Sequence, residues 1–151
     1  MKSASAFKSN GTEMSESIGL IVGAQETIQD SSKVGNSFKT MVNRLNGVTY
    51  SMKEGDIIAN KTAQAFEKLA GIKIVDWDTN KVKDAYTIFS QLADKWDDMN
   101  DVQRNGIADA LGGAHHLNTL QALMNNWDTV VQYQQEITFF VCTEMCIGHK
   151  L

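Results

Sequence analysis

DAYTIFSQLADKWDDMNDVQRNGIADALGGAHHLNTLQALMNNW, residues 84–127, decides the fold. Apolar residues recur at Ala85, Ile88, Phe89, Leu92, Trp96 and Met99, a three-and-four spacing that places them on one face of an α-helix. Asn100 follows, with Gln103 three residues on. An Asn that caps a helix and a Gln that reaches back to its backbone N–H form a capping box, so a second helix opens here. That helix carries Val102, Ile107, Ala110 and Leu111 and stops at Gly112–Gly113, where a left-handed backbone costs little. A third stripe runs through Leu117, Leu120, Met124, Trp127 and Val131. Three apolar stripes separated by breaks are built to pack on one another. The stretch holds no residue set suited to moving protons or cradling phosphate.

The pattern extends upstream. Thr12 is expected to cap a helix striped by Met14, Ile18, Ile21, Val22 and Gln25. Asp30 or Ser31 restarts the helix, with Val34, Phe38, Met41, Val42 and Leu45 on one face, and Asn46–Gly47 closes it. Val48 to Asn60 has no helical period, and Val48–Thr49–Tyr50 reads as a short extended piece. Thr62 opens a short helix through Ala65, Phe66 and Leu69 that Gly71 ends. Ile72 to Val75 alternates as a short strand, alone or paired in a hairpin with Lys81–Val82. Proline is absent, so breaks must come from Gly and polar clusters. The expected fold is mainly α, a multi-helix packed module with at most a short β-hairpin near 72–82. Residues 1–11 are expected to form a flexible N-terminus, 12–136 the helical module, and 137–151 (ITFFVCTEMCIGHKL) an atypical C-terminal tail, as from a truncated or frameshifted gene.

Composition sets the outer bounds. A chain of 151 residues suffices for one domain with a real core, and 42% hydrophobic with 21% charged residues is ordinary for a globular protein. A net charge of −4 disfavours non-specific nucleic-acid binding. The longest apolar run, around Phe139 to Cys142, is too short for stable membrane insertion. Met1 to Met14 lacks the apolar stretch of a secretory signal.

Each candidate site reads better as structure than as chemistry. Asp76, Asp78 and Asn80 copy the start of a calcium loop, but Lys81 and Thr87 stand where Gly and Glu are needed, leaving a polar turn that caps the next helix. His115 and His116 are adjacent, about 100° apart on a helix, and cannot hold one ion from one face. Cys142, Cys146 and His149 lack a fourth ligand and read as free thiols in a frayed tail. Trp96 and Trp127 lie on apolar stripes, and no basic groove accompanies them or Trp77, so core packing outweighs base stacking. Asn118 and Asn125 flank the last stripe, either as buried pairs that fix helix register, as in coiled coils, or in solvent. No catalytic, cofactor-binding or metal residues are expected, and no nucleophile–base pair, HExxH or Gly-rich phosphate loop points to an enzyme.

Taken in order, DKWDDMNDVQRNGIADALGG (94–113) and HHLNTLQALMNNWD (115–128) resemble the core region of tape measure proteins of long-tailed phages. GLIVGAQETIQDSSKVGNSFKTMVNRLNGV (19–48) resembles the preceding part of that core, and AFEKLAGIKIVDWDTNKVKDAYTIFSQLADKW (65–96) the linking segment. The likeness runs from about Ala4 to Gln135, and it rests on the order and spacing of packing patterns. It implies a structural segment of the virion tail, phage- or prophage-encoded, that helps set tail length and assembles in the host bacterial cytoplasm. The implied partners are tail tube and tail assembly proteins and other copies of the chain. Periodicity alone allows an alternative, a helical adaptor or regulatory interaction module.

Overall fold

A computed structural model describes residues 3–148, with side-chain surroundings given through Met145. The helices are α1 (Ala4–Asn10), α2 (Met14–Gln25), α3 (Ser31–Arg44), α4 (Lys61–Ala70), α5 (Ala85–Trp96), α6 (Asp101–Ala110), α7 (Leu117–Asn125) and α8 (Trp127–Gly148). Strands β1 (Val48–Ser51) and β2 (Asp56–Ala59) form one antiparallel hairpin, with Val48 opposite Ala59 and Tyr50 opposite Ile57. Strands β3 (Val75–Asp76) and β4 (Lys81–Val82) form a second, with Val75 opposite Val82. The chain is mainly α, as the periodicity dictates.

The stripe that opens the decisive stretch is the centre of the core. Ala85, Ile88, Phe89, Leu92, Trp96 and Met99 are all buried. Phe38 of α3 lies 6.3 Å from Phe89, edge to face, and 5.6 Å from Phe7 of α1. Those three rings join segments far apart in sequence, and edge-to-face pairs of this kind add about 1 kcal/mol beyond area burial. Asn100 and Gln103 close the expected capping box at α6. Arg104 covers the end of α5: its guanidinium donates to the Trp96 carbonyl at 2.7 and 3.1 Å and lies 5.2 Å over the Trp96 ring. Lys95 likewise donates to the Ala70 carbonyl at the end of α4. Both cations satisfy carbonyls that a helix terminus leaves without partners.

Several local expectations are overturned by contacts distant in sequence. Residues 1–11 are not a flexible N-terminus as far as they are described: Ala4–Asn10 is helical and Phe7 is 1% exposed. Thr12 does not cap α2. Glu13 does, in a capping box with Glu16, while Asn10 and Thr12 accept from the Ala85 N–H and so cap α5 in trans. α4 starts at Lys61, one residue ahead of the expected Thr62, because Asn60 accepts from Ala63 N, and the Thr62 hydroxyl instead donates to the Ala110 carbonyl of α6. On α2 the buried residues are Ser17, Leu20, Ile21 and Ala24, with Gly19 and Gly23, whereas Met14 is exposed; an all-round apolar helix has no stripe to read. Val102 is exposed as well. The last stripe breaks at Asn126, so Val130 rather than Val131 turns fully inward. Residues 137–148 continue α8 as helix rather than fraying.

Gly112 and Gly113, at φ +139° and +106°, turn the chain out of α6 so that α7 returns against α2 and α5. α8 then lies antiparallel to α2. A Cβ on Gly23 would overlap Val130 Cγ2, and one on Gly19 would sit 2.8 Å from the Val130 carbonyl and 3.3 Å from Gln134 Cβ. The Gly-x-x-x-Gly spacing, Gly19 and Gly23, thus lets two backbones approach closely. Asn126 locks the start of α8, donating to Thr27 Oγ1 and the Ala122 carbonyl, both at 2.9 Å.

Candidate interaction surfaces

The polar groups singled out from sequence are structural where they are described. Asp76 Oδ1 accepts from the Asp78 and Thr79 N–H groups, and Asn80 adopts φ +52°; together they form the turn of the β3–β4 hairpin instead of capping the next helix. The Thr79 hydroxyl, and after it these N–H groups, hold the Asp76 carboxyl below the usual carboxylate range. His115 and His116 fall in a 3₁₀ turn (Ala114–His116) ahead of α7. His116 Nδ1 lies 3.1 Å from Ser37 Oγ, which also accepts from the Thr119 hydroxyl at 3.2 Å. A Ser–His pair could suggest a nucleophile, but Ser37 is buried at 6% exposure and held by Thr119. It ties α3 to α7, out of a substrate's reach. Burial, then the charges of His115 and Arg44, lowers the His116 pKa below its ordinary value.

Trp96 is in the core, and Trp127 is half-buried against Tyr86, ring centroids 5.6 Å apart; Trp77 is exposed at the β3–β4 turn. Asn118 and Asn125 are both exposed, so neither fixes a register. Cys142 is an exposed free thiol, whereas the side chain of Cys146 and all of His149 lie outside the described residues. Among the described residues no group of three His, Cys, Asp or Glu side chains could hold a metal ion, and no helix is long and apolar enough to cross a membrane.

The surface offers three apolar patches instead. On the β1–β2 hairpin, Val48 and Ala59 at the base pack on the core, whereas Tyr50 and Ile57, paired two residues further out, are exposed, as is Met52 in the turn. Between α1 and α2 lies a groove of about 350 Å³, walled by Phe7, Met14, Ile18 and Ile21, with Lys8 at its edge. On α8, Phe139, Phe140, Val141 and Met145 are exposed. Sequence reasoning missed the first two. The groove exists only because α1 docks, and the hairpin's partner strand, DIIA at 56–59, has no alternation to betray it. The third, within ITFFVCTEMC, reads as a tail from sequence, and its helix is evident only in the structure.

Contiguous apolar surface that a protein leaves in water marks contact with another macromolecule more often than chemistry. Residues 1–113 match the family model described as phage-related minor tail protein, a match that ends at the second glycine of the Gly112–Gly113 turn. No solved structure matches the chain.

Proposed function

Because the chain belongs to the phage-related minor tail protein family, we propose that it is a packed structural module of a tape measure protein, acting through contacts with tail tube and tail assembly partners. The order of motifs from Ala4 to Gln135 supports the tape measure assignment. The observation that carries the module's role is the set of chain reversals. A ruler works by rise, about 1.5 Å per residue of uninterrupted helix. Here left-handed glycines at Gly47, Gly71, Gly112 and Gly113 end or turn the helices, and the apolar faces so freed bury one another in a single core. The module therefore contributes contacts and not length. Its site of action is the tail, reached during assembly in the host cytoplasm.

In-frame duplication of residues 12–136 in a tail-forming phage that encodes this segment tests the reading. A ruler segment would lengthen tails by roughly 190 Å. A packed module leaves tail length unchanged or blocks assembly, as seen by negative-stain microscopy. Tails lengthened by the full helical rise would overturn the proposal. Small-angle scattering from the purified chain should agree, with a radius of gyration near 15 Å for a monomer.

A further inference from the structure

The β1–β2 hairpin has two outer edges, and they are finished differently. Val48 pairs with Ala59 and Tyr50 with Ile57, and the Asn60 N–H donates to the Gly47 carbonyl at 2.9 Å. Residues 47 and 60 are therefore a hydrogen-bonded pair, and such pairs alternate with open ones along an antiparallel ladder. Thr49 with Ile58, and Ser51 with Asp56, bond across the hairpin. Val48, Tyr50, Ile57 and Ala59 turn their N–H and C=O groups outward.

On β2 that outward row is interrupted by side chains. The Asp56 carboxylate accepts from the Ile57 N–H at 2.7 Å, and the Gln64 amide of α4 donates to the Ala59 carbonyl at 2.8 Å. Asp56 also sets a charge on this edge, which discourages the addition of a strand. On β1 nothing among the described residues bonds to the outward N–H and C=O of Val48 or Tyr50, and the strand VTYS carries no charge. A two-stranded hairpin is marginal by itself, and an open, uncharged edge is a template for another strand.

The open edge matches a second β1. It is two presenting residues long, so a longer segment would overrun it into the turn or the core. In an antiparallel pair of β1 strands centred on Thr49, Val48 of each copy faces Tyr50 of the other. Each of those pairs exchanges two hydrogen bonds, so every outward group of both strands finds a partner. Tyr50 then lies between Ile57 of its own hairpin and Val48 of the other copy, and Thr49 meets Thr49 on the opposite face. Aromatic with β-branched, and Thr with Thr, are both favourable cross-strand pairs. Centring on Tyr50 instead would set Val48 against Met52, in the turn. With one edge open and the other closed, the pairing stops at two copies.

We propose that β1 pairs with β1 of a second copy of the chain about a two-fold axis through Thr49, giving a four-stranded sheet in the order β2–β1–β1–β2. The contact belongs to the small, transient class, below about 1,200 Å², and is populated at high concentration. The inference rests on the hairpin alone: a strictly monomeric chain sinks it and leaves the tail reading standing.

Thr49, on the axis, is the position to vary in the full chain. Sedimentation and amide NMR up to about 1 mM should show a monomer–dimer equilibrium. Isotope-labelled chain mixed with unlabelled chain should give an intermolecular contact between the two Thr49 Hα atoms. Thr49→Lys and Thr49→Glu each set like charges face to face and should weaken the dimer about fivefold. Mixed in equal amounts, the two should pair at least as well as the wild type. Thr49 is exposed, so far-ultraviolet circular dichroism should be unchanged. Asp56→Ala combined with Gln64→Ala opens the second edge and should extend dimers into longer assemblies. A monomer throughout, equal association of all Thr49 variants, a mixture no better than its components, or dimers that stay dimers once β2 is opened would each overturn the proposal. So would a monomer whose Tyr50 amide is protected only by an added Val-Thr-Val-Thr peptide, which would assign the edge to a different protein.

Discussion

The two ends of α8 are one continuous helix with opposite relations to the fold. From Trp127 to Gln134 it is pressed against Gly19 and Gly23, with Val130 fully buried and Asn126 bonded across to Thr27. From Phe139 to Met145 the apolar side chains Phe139, Phe140 and Met145 stand largely in water. Hydrophobicity therefore does not decide which turns are packed. What decides is whether the opposite helix offers a surface without side chains. The glycine face of α2 admits a backbone, and where α2 ends the fold has nothing left to offer.

The largest effect should come from filling that face. Gly23→Leu forces a side chain into the space of Val130 and should cost about 3 kcal/mol, read from urea unfolding. A loss under about 1 kcal/mol would mean that the inner turns of α8 are as loosely held as the outer ones. Next is the turn that aims α7 and α8 back onto α2. Replacing Gly112 and Gly113 together with Ala strains two left-handed positions and brings a Cβ within 2.8 Å of His116 and Thr40. About 2 kcal/mol should be lost, and an unchanged melting temperature would remove the turn from the account.

A smaller effect is expected at the junction where the two regions part. Burial, with the charges of Asp84 and Glu13 acting in the same sense, holds the Glu16 carboxyl above its ordinary pKa. Its ionisation thus opposes folding: the stability it contributes is complete below about pH 4 and lost as pH rises through the raised value. Glu16→Gln keeps the capping box and should raise the melting temperature slightly at pH 7, with no gain near pH 4. A gain equal at both pH values would refute the electrostatic explanation. The smallest effect belongs to the outer turns. Phe140→Ser should change monomer stability by less than about 0.5 kcal/mol, and amide exchange there should be fast while Val130 and its neighbours are protected.

The same division separates what sequence could and could not reveal. Features set by a few adjacent residues were legible: the Asn100–Gln103 box, the glycine terminations at Gly47, Gly71 and Gly112–Gly113, and the stripes of α3 and α5. Features set by a distant partner were not. Asn10 and Thr12 look like loop residues until Ala85, more than seventy positions away, supplies the N–H that they accept. Phe7 in a polar stretch gives no periodicity, and its burial rests on Phe38. The break at Asn126 slides Val130 into the place expected of Val131, because Thr27 holds the Asn side chain. The interaction surfaces fall in this second class: the groove needs α1 docked, and the α8 tip becomes conspicuous only once the end of α2 is located.

The antiparallel seating of α8 on a pair of glycines also fixes how the molecule answers a mechanical load. A pull on the outer end of α8 runs along the helix axis and drags its inner turns lengthwise past Gly19 and Gly23. Val130, buried against Gly23, is the side chain that such a slide must dislodge. The resistance concentrates at the opposite end, in Val130 and in the amide of Asn126 gripping Thr27 and Ala122. Under tension the module would surrender its last helix as one piece, leaving α1 to α7 folded behind it.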